Sequence, residues 1–315
     1  MNRITQPPDL GSPTDIHQHL WPEPLLRALG QRSEPPMLVR GADGWIVRLA
    51  GEPEGHVDLA SHDPAERAAL ADADGLACVV VAPSTPLGIE ALPAGEAEPL
   101  LAAYHEGVAA LGGPFIGWAS VSLAEPDPTS LAGLLDQGFA GACVAAGALG
   151  GPAGYDHLGP VLETLERHDA PLLVHPGPVP APPPSAPGWW AALTDYASTM
   201  QSAWYAFSLW GRPAHPRLRV CFAMLAGLAP LHRERLLARG GEAVRDPGVF
   251  LDVSSYGERA IDAVLREIGV DQLVFGSDRP VVAPYDLRLG DAVLAALRER
   301  NPTRLLGAKT METAV

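Results

Sequence analysis

T-D-I-H-Q-H-L-W-P, residues 14–22, carries two histidines one residue apart at the end of a short run that reads as a strand. Side chains two apart on a strand share a face, so His17 and His19 can present two ring nitrogens to one point. Downstream, further short apolar runs recur with helical patterns between them, the signature of βα units around a parallel sheet. The spacing predicts strands at 14–19, 77–82, 115–121, 141–146, 172–176, 217–224, 249–255 and 272–278. Helices are expected at 63–73, opened by an Asp cap with Pro at the first turn, and at 158–168. Eight strands with intervening helices predict an α/β fold, a (β/α)8 TIM-like barrel formed by residues 1–315 as a single domain. The rival, a doubly wound open sheet binding a dinucleotide, lacks a Gly-x-Gly-x-x-Gly after the first strand.

Two stretches break this rhythm. Residues 37–59 read as a small β-hairpin inserted after strand 1, turning at Gly41-Ala42-Asp43-Gly44. Residues 176–190 form a Pro-rich loop after strand 5 that can be neither a helix interior nor a central strand. Both follow a strand's C-terminal end, so both are expected to wall the barrel mouth, a surface linker being the alternative for the proline run.

The formal charge of −15 argues against a nucleic-acid partner, because no Lys/Arg stripe exists to displace phosphate counterions. No apolar run is long enough to span a bilayer, and M-N-R-I-T-Q-P-P-D-L at the start has no signal-peptide core. No membrane association and a cytoplasmic location are expected. Cys78, Cys143 and Cys221 each sit inside an apolar run without Cys-x-x-Cys spacing, which predicts buried free thiols rather than a redox pair or a zinc ribbon.

His175 in P-L-L-V-H-P-G-P and Asp278 in V-F-G-S-D-R-P also close predicted strands. Taken singly, a His-x-His can be accidental and a lone strand-end His can be a core residue. With His17 and His19 they make four metal-type side chains at the ends of strands one, five and eight, a donor set suited to zinc or another borderline divalent ion.

The sequence resembles the amidohydrolase superfamily, in the branch that includes aminocarboxymuconate-semialdehyde decarboxylase and the γ-resorcylate and 6-methylsalicylate decarboxylases. The resemblance runs over nearly the whole chain: D-I-H-Q-H-L, A-P-L-L-V-H-P-G, H-P-R-L-R-V-C-F-A, F-L-D-V-S-S, V-F-G-S-D-R-P and N-P-T-R-L-L-G. It implies one divalent metal ion, usually Zn2+, held by His17, His19, His175 and Asp278, and it implies a homodimer. The fourth strand, G-A-C-V-A-A-G-A-L, offers no Lys or Glu to bridge a second ion, so a mononuclear site is expected.

Where this branch reads A-H-L-G-G after the sixth strand, the chain reads A-M-L-A-G, so Met224 stands at the position of the usual proton-transferring histidine. A thioether cannot move protons. The leading expectation is therefore a metal-dependent hydrolase of a small, carboxylated substrate, with a metal-activated water as nucleophile and Asp278 as catalytic base. The alternative is a non-oxidative decarboxylase of the same family, which needs a placed acid, and the lesser alternative is a catalytically inactive homologue that only binds metal or ligand.

Substrate contacts are expected from Arg279, beside the metal-type Asp, and from Trp21, Tyr256 and Arg48, with rim salt bridge or packing as the competing reading of each. Trp189 and Trp190 share that reading. Asp252 reads as a partner of a ligating His or a buried rim carboxylate. His157 and His215 are expected to be structural, His157 being the first alternative proton carrier, and His56, His62, His105, His168 and His232 are expected to face solvent.

Overall fold

The structure is a computed structural model that describes residues 11–307; the first ten residues, read above for a leader, lie outside the described residues. Its elements follow the expected alternation. Eight parallel strands, β1 (Thr14–His19), β5 (Cys78–Ala82), β6 (Phe115–Ser120), β7 (Gly141–Ala145), β8 (Leu172–His175), β9 (Val220–Phe222), β10 (Val249–Asp252) and β11 (Leu273–Val274), lie side by side in chain order. The first and last are joined by hydrogen bonds from Ile16 N–H to the Phe275 carbonyl (2.9 Å), Asp278 N–H to the His17 carbonyl (2.9 Å) and His19 N–H to the Arg279 carbonyl (2.7 Å). The sheet therefore closes on itself as the predicted (β/α)8 barrel.

Alternation along the strands divides the core in two. Ile16, Cys78, Val80, Ile116, Trp118, Cys143, Leu173, Cys221, Phe250 and Val274 form one apolar cluster, while their chain neighbours Val79, Val81, Val144, Leu172, Val174 and Leu251 pack in the other with the surrounding helices. The first set fills the barrel. Its one long polar tip is accounted for, because the Trp118 indole N–H donates to the Ile16 carbonyl (2.8 Å). All three cysteines are buried and free, as expected.

Helix ends obey local chemistry. Asp63 caps the helix Pro64–Ala73 by accepting from Ala65 N–H and Glu66 N–H, with Pro64 at the first position. The helix expected at 158–168 begins earlier, at Pro152, and runs to Arg167, because Pro160 sits within it without ending it.

The last strands are shorter than predicted. The run 217–224 forms a strand only at Val220–Phe222, and 272–278 only at Leu273–Val274. Apolar residues continue past each strand, but there the backbone turns to build the mouth. The insertion also differs: it follows the helix Glu23–Gly30, and it is a three-stranded antiparallel sheet of β2 (Met37–Arg40), β3 (Trp45–Arg48) and β4 (Gly55–Val57) rather than a two-stranded hairpin. The third strand is short and holds Gly and His, so it carries little strand signal of its own. The proline run has no regular structure until the short helix Trp190–Leu193. No helix among the described residues is long and apolar enough to cross a membrane.

Candidate metal centre

At the C-terminal end of the barrel, β1, β8 and the segment after β11 bring His17, His19, His175 and Asp278 together, all buried, with one ligand-type atom of each within 4.8 Å of the others. The three imidazole rings stand nearly perpendicular in pairs, with centroids 4.9, 4.8 and 5.0 Å apart. His17 Nε2 and His19 Nε2 are 3.1 Å apart, and Asp278 Oδ1 lies 3.2 Å from His19 Nε2 and 3.7 Å from His17 Nε2. The local cause of the His17 and His19 arrangement is visible in β1, whose register against β5 slips between Asp15 and Gln18. Asp15 fills the slip, accepting from His17 N–H (3.1 Å), Ser277 N–H (3.1 Å) and the Gln18 amide (2.7 Å).

Each histidine has an acceptor at its other nitrogen. His17 Nδ1–H donates to Asp252 Oδ2 (2.7 Å), His19 Nδ1–H to the Ala82 carbonyl (3.1 Å) and His175 Nδ1–H to the Pro176 carbonyl (2.8 Å). Thr85 Oγ1 lies 2.8 Å from the same His175 nitrogen, and its hydroxyl donates to the Pro176 carbonyl. Placing the protons on Nδ1 turns three Nε2 lone pairs toward one point beside a carboxylate. Two Nε2 acceptors 3.1 Å apart repel unless something cationic lies between them. Tetrahedral Zn–N bonds of about 2.0–2.1 Å would set such nitrogens roughly 3.3 Å apart, so the donor set fits a small divalent ion.

The surrounding carboxylates favour positive charge at this point, carried by a second proton on His17 when no ion is held. Burial opposes ionisation of Asp278, but the His19 hydrogen bond and the charges of His17, His19 and His175 hold its carboxyl down to about 2. Burial also opposes a proton on His17, yet Asp252 in contact with its ring, helped by Asp278 and Asp15, raises its pKa to about 9. Burial, then the neighbouring His17 and His19, push His175 well below the ordinary imidazole value. Asp278 also has a left-handed backbone (φ +61°), and its Oδ2 accepts from the Ser255 hydroxyl at 3.2 Å. Strained backbone of this kind concentrates at working sites.

Asp252 is the residue that ties the strand ends together. Its Oδ2 accepts from His17 Nδ1–H, and its Oδ1 accepts from Met224 N–H (3.0 Å), Ser254 N–H (3.0 Å) and the Ser254 hydroxyl (2.5 Å). Met224 opens a turn in which Met224, Leu225, Ala226, Gly227 and Leu228 all adopt positive φ. Left-handed backbone costs an L-residue roughly 1–2 kcal/mol, so this turn persists only because it is held. Asp252 holds one end, and the Gln201 amide donates to the Gly227 carbonyl (2.7 Å) further along.

The other expected contacts divide. Trp21 stacks on His62 (4.9 Å, 9° between planes) and donates from its indole N–H to Ser84 Oγ (2.8 Å), a wall just beyond His19. Tyr256 is half-buried in a small pocket shared with Ser255, Ser277 and Tyr285. The Arg279 guanidinium forms an ion pair with Asp74 (2.9 Å), while Arg48 Nε donates to Glu54 (2.6 Å) in the insertion. Trp189 is exposed, and its ring stacks on Trp190. His157 is exposed with its ring bonded to the Leu123 carbonyl, and His215 is buried 3.6 Å from Glu166.

Two histidines do not face solvent as expected. His62 is buried under Trp21 and accepts the Trp21 N–H (3.1 Å), and His105 accepts the Ser120 N–H (3.0 Å) beside Phe139. Their helical, polar sequence neighbourhoods hide contacts made by other strands.

Sequence reasoning missed Arg67 and Thr85. Arg67, buried inside the helix Pro64–Ala73, donates to the His19 carbonyl (2.8 Å), to Gln18 Oε1 and to the Arg279 carbonyl (3.3 Å), pinning β1 to the strand-eight loop. In sequence it is one more charge on an amphipathic helix.

No protein-family sequence model matches the chain, and no curated protein sequence matches it. Solved structures do. IDCase from Metarhizium anisopliae in apo form superposes with a TM-score of 0.77 at 19% identity, covering 96% of this chain and 98% of that one. The chain shares the (β/α)8 barrel fold of these structures. An amidohydrolase II structure matches at 0.71 and 17% identity, covering 94% of this chain and 99% of that one. The 5-carboxyvanillate decarboxylase from Novosphingobium aromaticivorans, complexed with manganese and 4-hydroxy-3-methoxy-5-nitrobenzoic acid, matches at 0.69 and 14% identity, covering 97% and 99%. The (β/α)8 barrel read from the alternation of strands and helices is thus borne out.

Proposed function

We propose that this amidohydrolase-type chain is a divalent-metal-dependent enzyme that removes carbon dioxide from a small, hydroxylated aromatic or unsaturated acid. The observation that carries the metal is the convergence of three histidine Nε2 atoms and Asp278, each Nδ1 already occupied by an acceptor. The fold shared with 5-carboxyvanillate and 2,6-dihydroxybenzoate decarboxylases favours carboxylate removal over hydrolysis. A bound ion, zinc by the donor set or manganese as in the neighbour, would supply Lewis-acid polarisation of a substrate oxygen.

The chain's own residues do the rest. Asp252, Ala82 and Pro176 hold the imidazoles in one tautomer and orientation. The stacked pair of Trp21 and His62 offers a flat apolar wall beside His19, suited to a planar substrate. Arg48 engages Glu54 through Nε alone, which leaves its two terminal nitrogens to receive a carboxylate, whereas Arg279 is committed to Asp74.

A second reading, hydrolysis with Asp278 as base, is favoured by Met224, which puts no acid at the sixth strand end. Protein loaded separately with zinc and with manganese is incubated with hydroxylated benzoates, including 5-carboxyvanillate, with carboxylated nitrogen heterocycles and muconate-type acids, and with matching amides and lactones. Release of carbon dioxide is expected. Hydrolysis of an amide or lactone without it would overturn the lyase reading.

A further inference from the structure

Two residues at the barrel mouth hold left-handed backbone and bond to each other: Ser255 (φ +63°), just past β10, and Asp278 (φ +61°), past β11. We propose that Ser255 is a positioning residue for the metal centre, its hydroxyl fixing the rotation of the Asp278 carboxylate so that Oδ1 alone is turned to the histidines; the inference rests on the metal reading above.

The backbone points to a serine kept for its side chain. Tyr256 N–H donates to the Val253 carbonyl (3.3 Å), closing a four-residue turn in which positive φ falls on the third residue, Ser255, and not on Ser254. Turns of that form take Gly or Asn at the third position, because other side chains are strained there. Such strain is retained where a side chain is put to use.

Both ends of the contact are anchored. Ser254 gives its N–H (3.0 Å) and its hydroxyl (2.5 Å) to Asp252 Oδ1, and Val253 N–H donates to the Val274 carbonyl (3.2 Å), which ties the turn to the strand ends. On the other side, Asp278 N–H donates to the His17 carbonyl (2.9 Å), and the Asp278 carbonyl accepts from Val281 N–H (2.9 Å). Only the Asp278 side chain is left to rotate.

The two oxygens of that carboxylate have different partners. Oδ1 lies 3.2 Å from His19 Nε2 and 3.7 Å from His17 Nε2, while Oδ2 meets the Ser255 hydroxyl at 3.2 Å. An ionised carboxylate has no proton to give, so the hydroxyl donates. Carboxylates offer an ion one oxygen or both, and with Oδ2 engaged by Ser255, Asp278 offers one. The neighbouring serines are spent elsewhere, Ser254 on Asp252 and Ser277 on the Arg279 N–H (3.3 Å).

The test compares wild type, Ser255→Ala and Ser255→Gly. Alanine removes the hydroxyl and keeps the strained backbone, whereas glycine removes the hydroxyl and relieves the strain. Each protein is titrated with Co2+, which takes the same nitrogen and oxygen donors as zinc, in competition with a chelator, and the visible absorption of the cobalt-loaded protein and the melting temperature of the metal-free protein are recorded. Both variants should bind Co2+ about 10–100 fold more weakly than wild type, the usual worth of a group that holds a ligand. Their cobalt absorption should weaken, because a released Oδ2 turns toward the ion and raises its coordination number. Metal-free Ser255→Gly should melt no lower than wild type. Affinities within a factor of about two of wild type in both variants, or in Ser255→Gly alone, overturn the role of the hydroxyl. Weaker binding with an unaltered cobalt spectrum overturns the control of orientation, and a metal-free Ser255→Gly that melts several degrees below wild type makes the side chain a structural one and overturns the proposal. Wild type that takes up no Co2+ overturns the metal reading and this role with it.

Discussion

Asp252 Oδ2 accepts a hydrogen bond from His17 Nδ1–H at 2.7 Å, and the two side chains are both fully buried. The other Asp252 oxygen holds the Met224 N–H, so one carboxylate orients a ligand-type histidine and anchors the strained turn after β9.

Asp252→Asn should therefore weaken metal binding. Partners of ligating histidines are worth about 10–100 fold in affinity, and Asn removes the charge that holds His17 Nδ1–H in place. Competition against a chromogenic chelator measures it. An unchanged metal affinity would mean that His17 is not a ligand.

Removing the metal should cost stability. At free metal about 100 times its dissociation constant, binding contributes about 2.7 kcal/mol, which in a chain of this size shifts the melting temperature by several degrees. Differential scanning calorimetry with and without chelator reads the shift. His175→Ala should bind far less metal and show no response to chelator, and equal metal content in both proteins would dispose of the centre.

The left-handed turn makes Gly227 a sensitive position. Gly227→Ala adds a methyl at φ +61° only 2.4 Å from the Ala197 carbonyl oxygen. Backbone strain plus displacement of the helix Asp195–Ala206 should destabilise by about 2–4 kcal/mol, read from urea midpoints. Gly147→Ala, where a Cβ meets nothing within 4 Å, is the control and should lie within about 1 kcal/mol of wild type.

Acid should destabilise the fold through two histidines outside the metal centre. Burial, with Arg67 and His19 adding to it at His62, lowers both His62 and His105 from 6.5 to about 4. Above pH 6.5 they are neutral in both folded and unfolded chains and contribute no slope. As pH falls from 6.5 to 4 the unfolded chain takes up protons that the fold refuses, and each site removes stability at up to about 1.4 kcal/mol per pH unit. His105→Gln, which retains an acceptor for the Ser120 N–H, should flatten the slope measured by denaturant titration. A slope equal to that of wild type would show that His105 is not the group responsible.

The sequence by itself determined the strand count, the barrel and the four-residue candidate metal centre, because short apolar runs and strand-terminal His and Asp residues are local signals that survive without knowledge of neighbours. It also located the gap in the chemistry, since Met224 is legible at once as a side chain without a proton. What it could not show were contacts between residues far apart in the chain: Asp252 on His17, Arg67 on the His19 carbonyl, Thr85 beside His175, Trp21 covering His62. Arg67 looks like an ordinary surface charge until the barrel closes. Only the tertiary structure decided those roles, because burial, tautomer and the reach of a carboxyl are set by what packs against a group, and here those partners arrive from different strands.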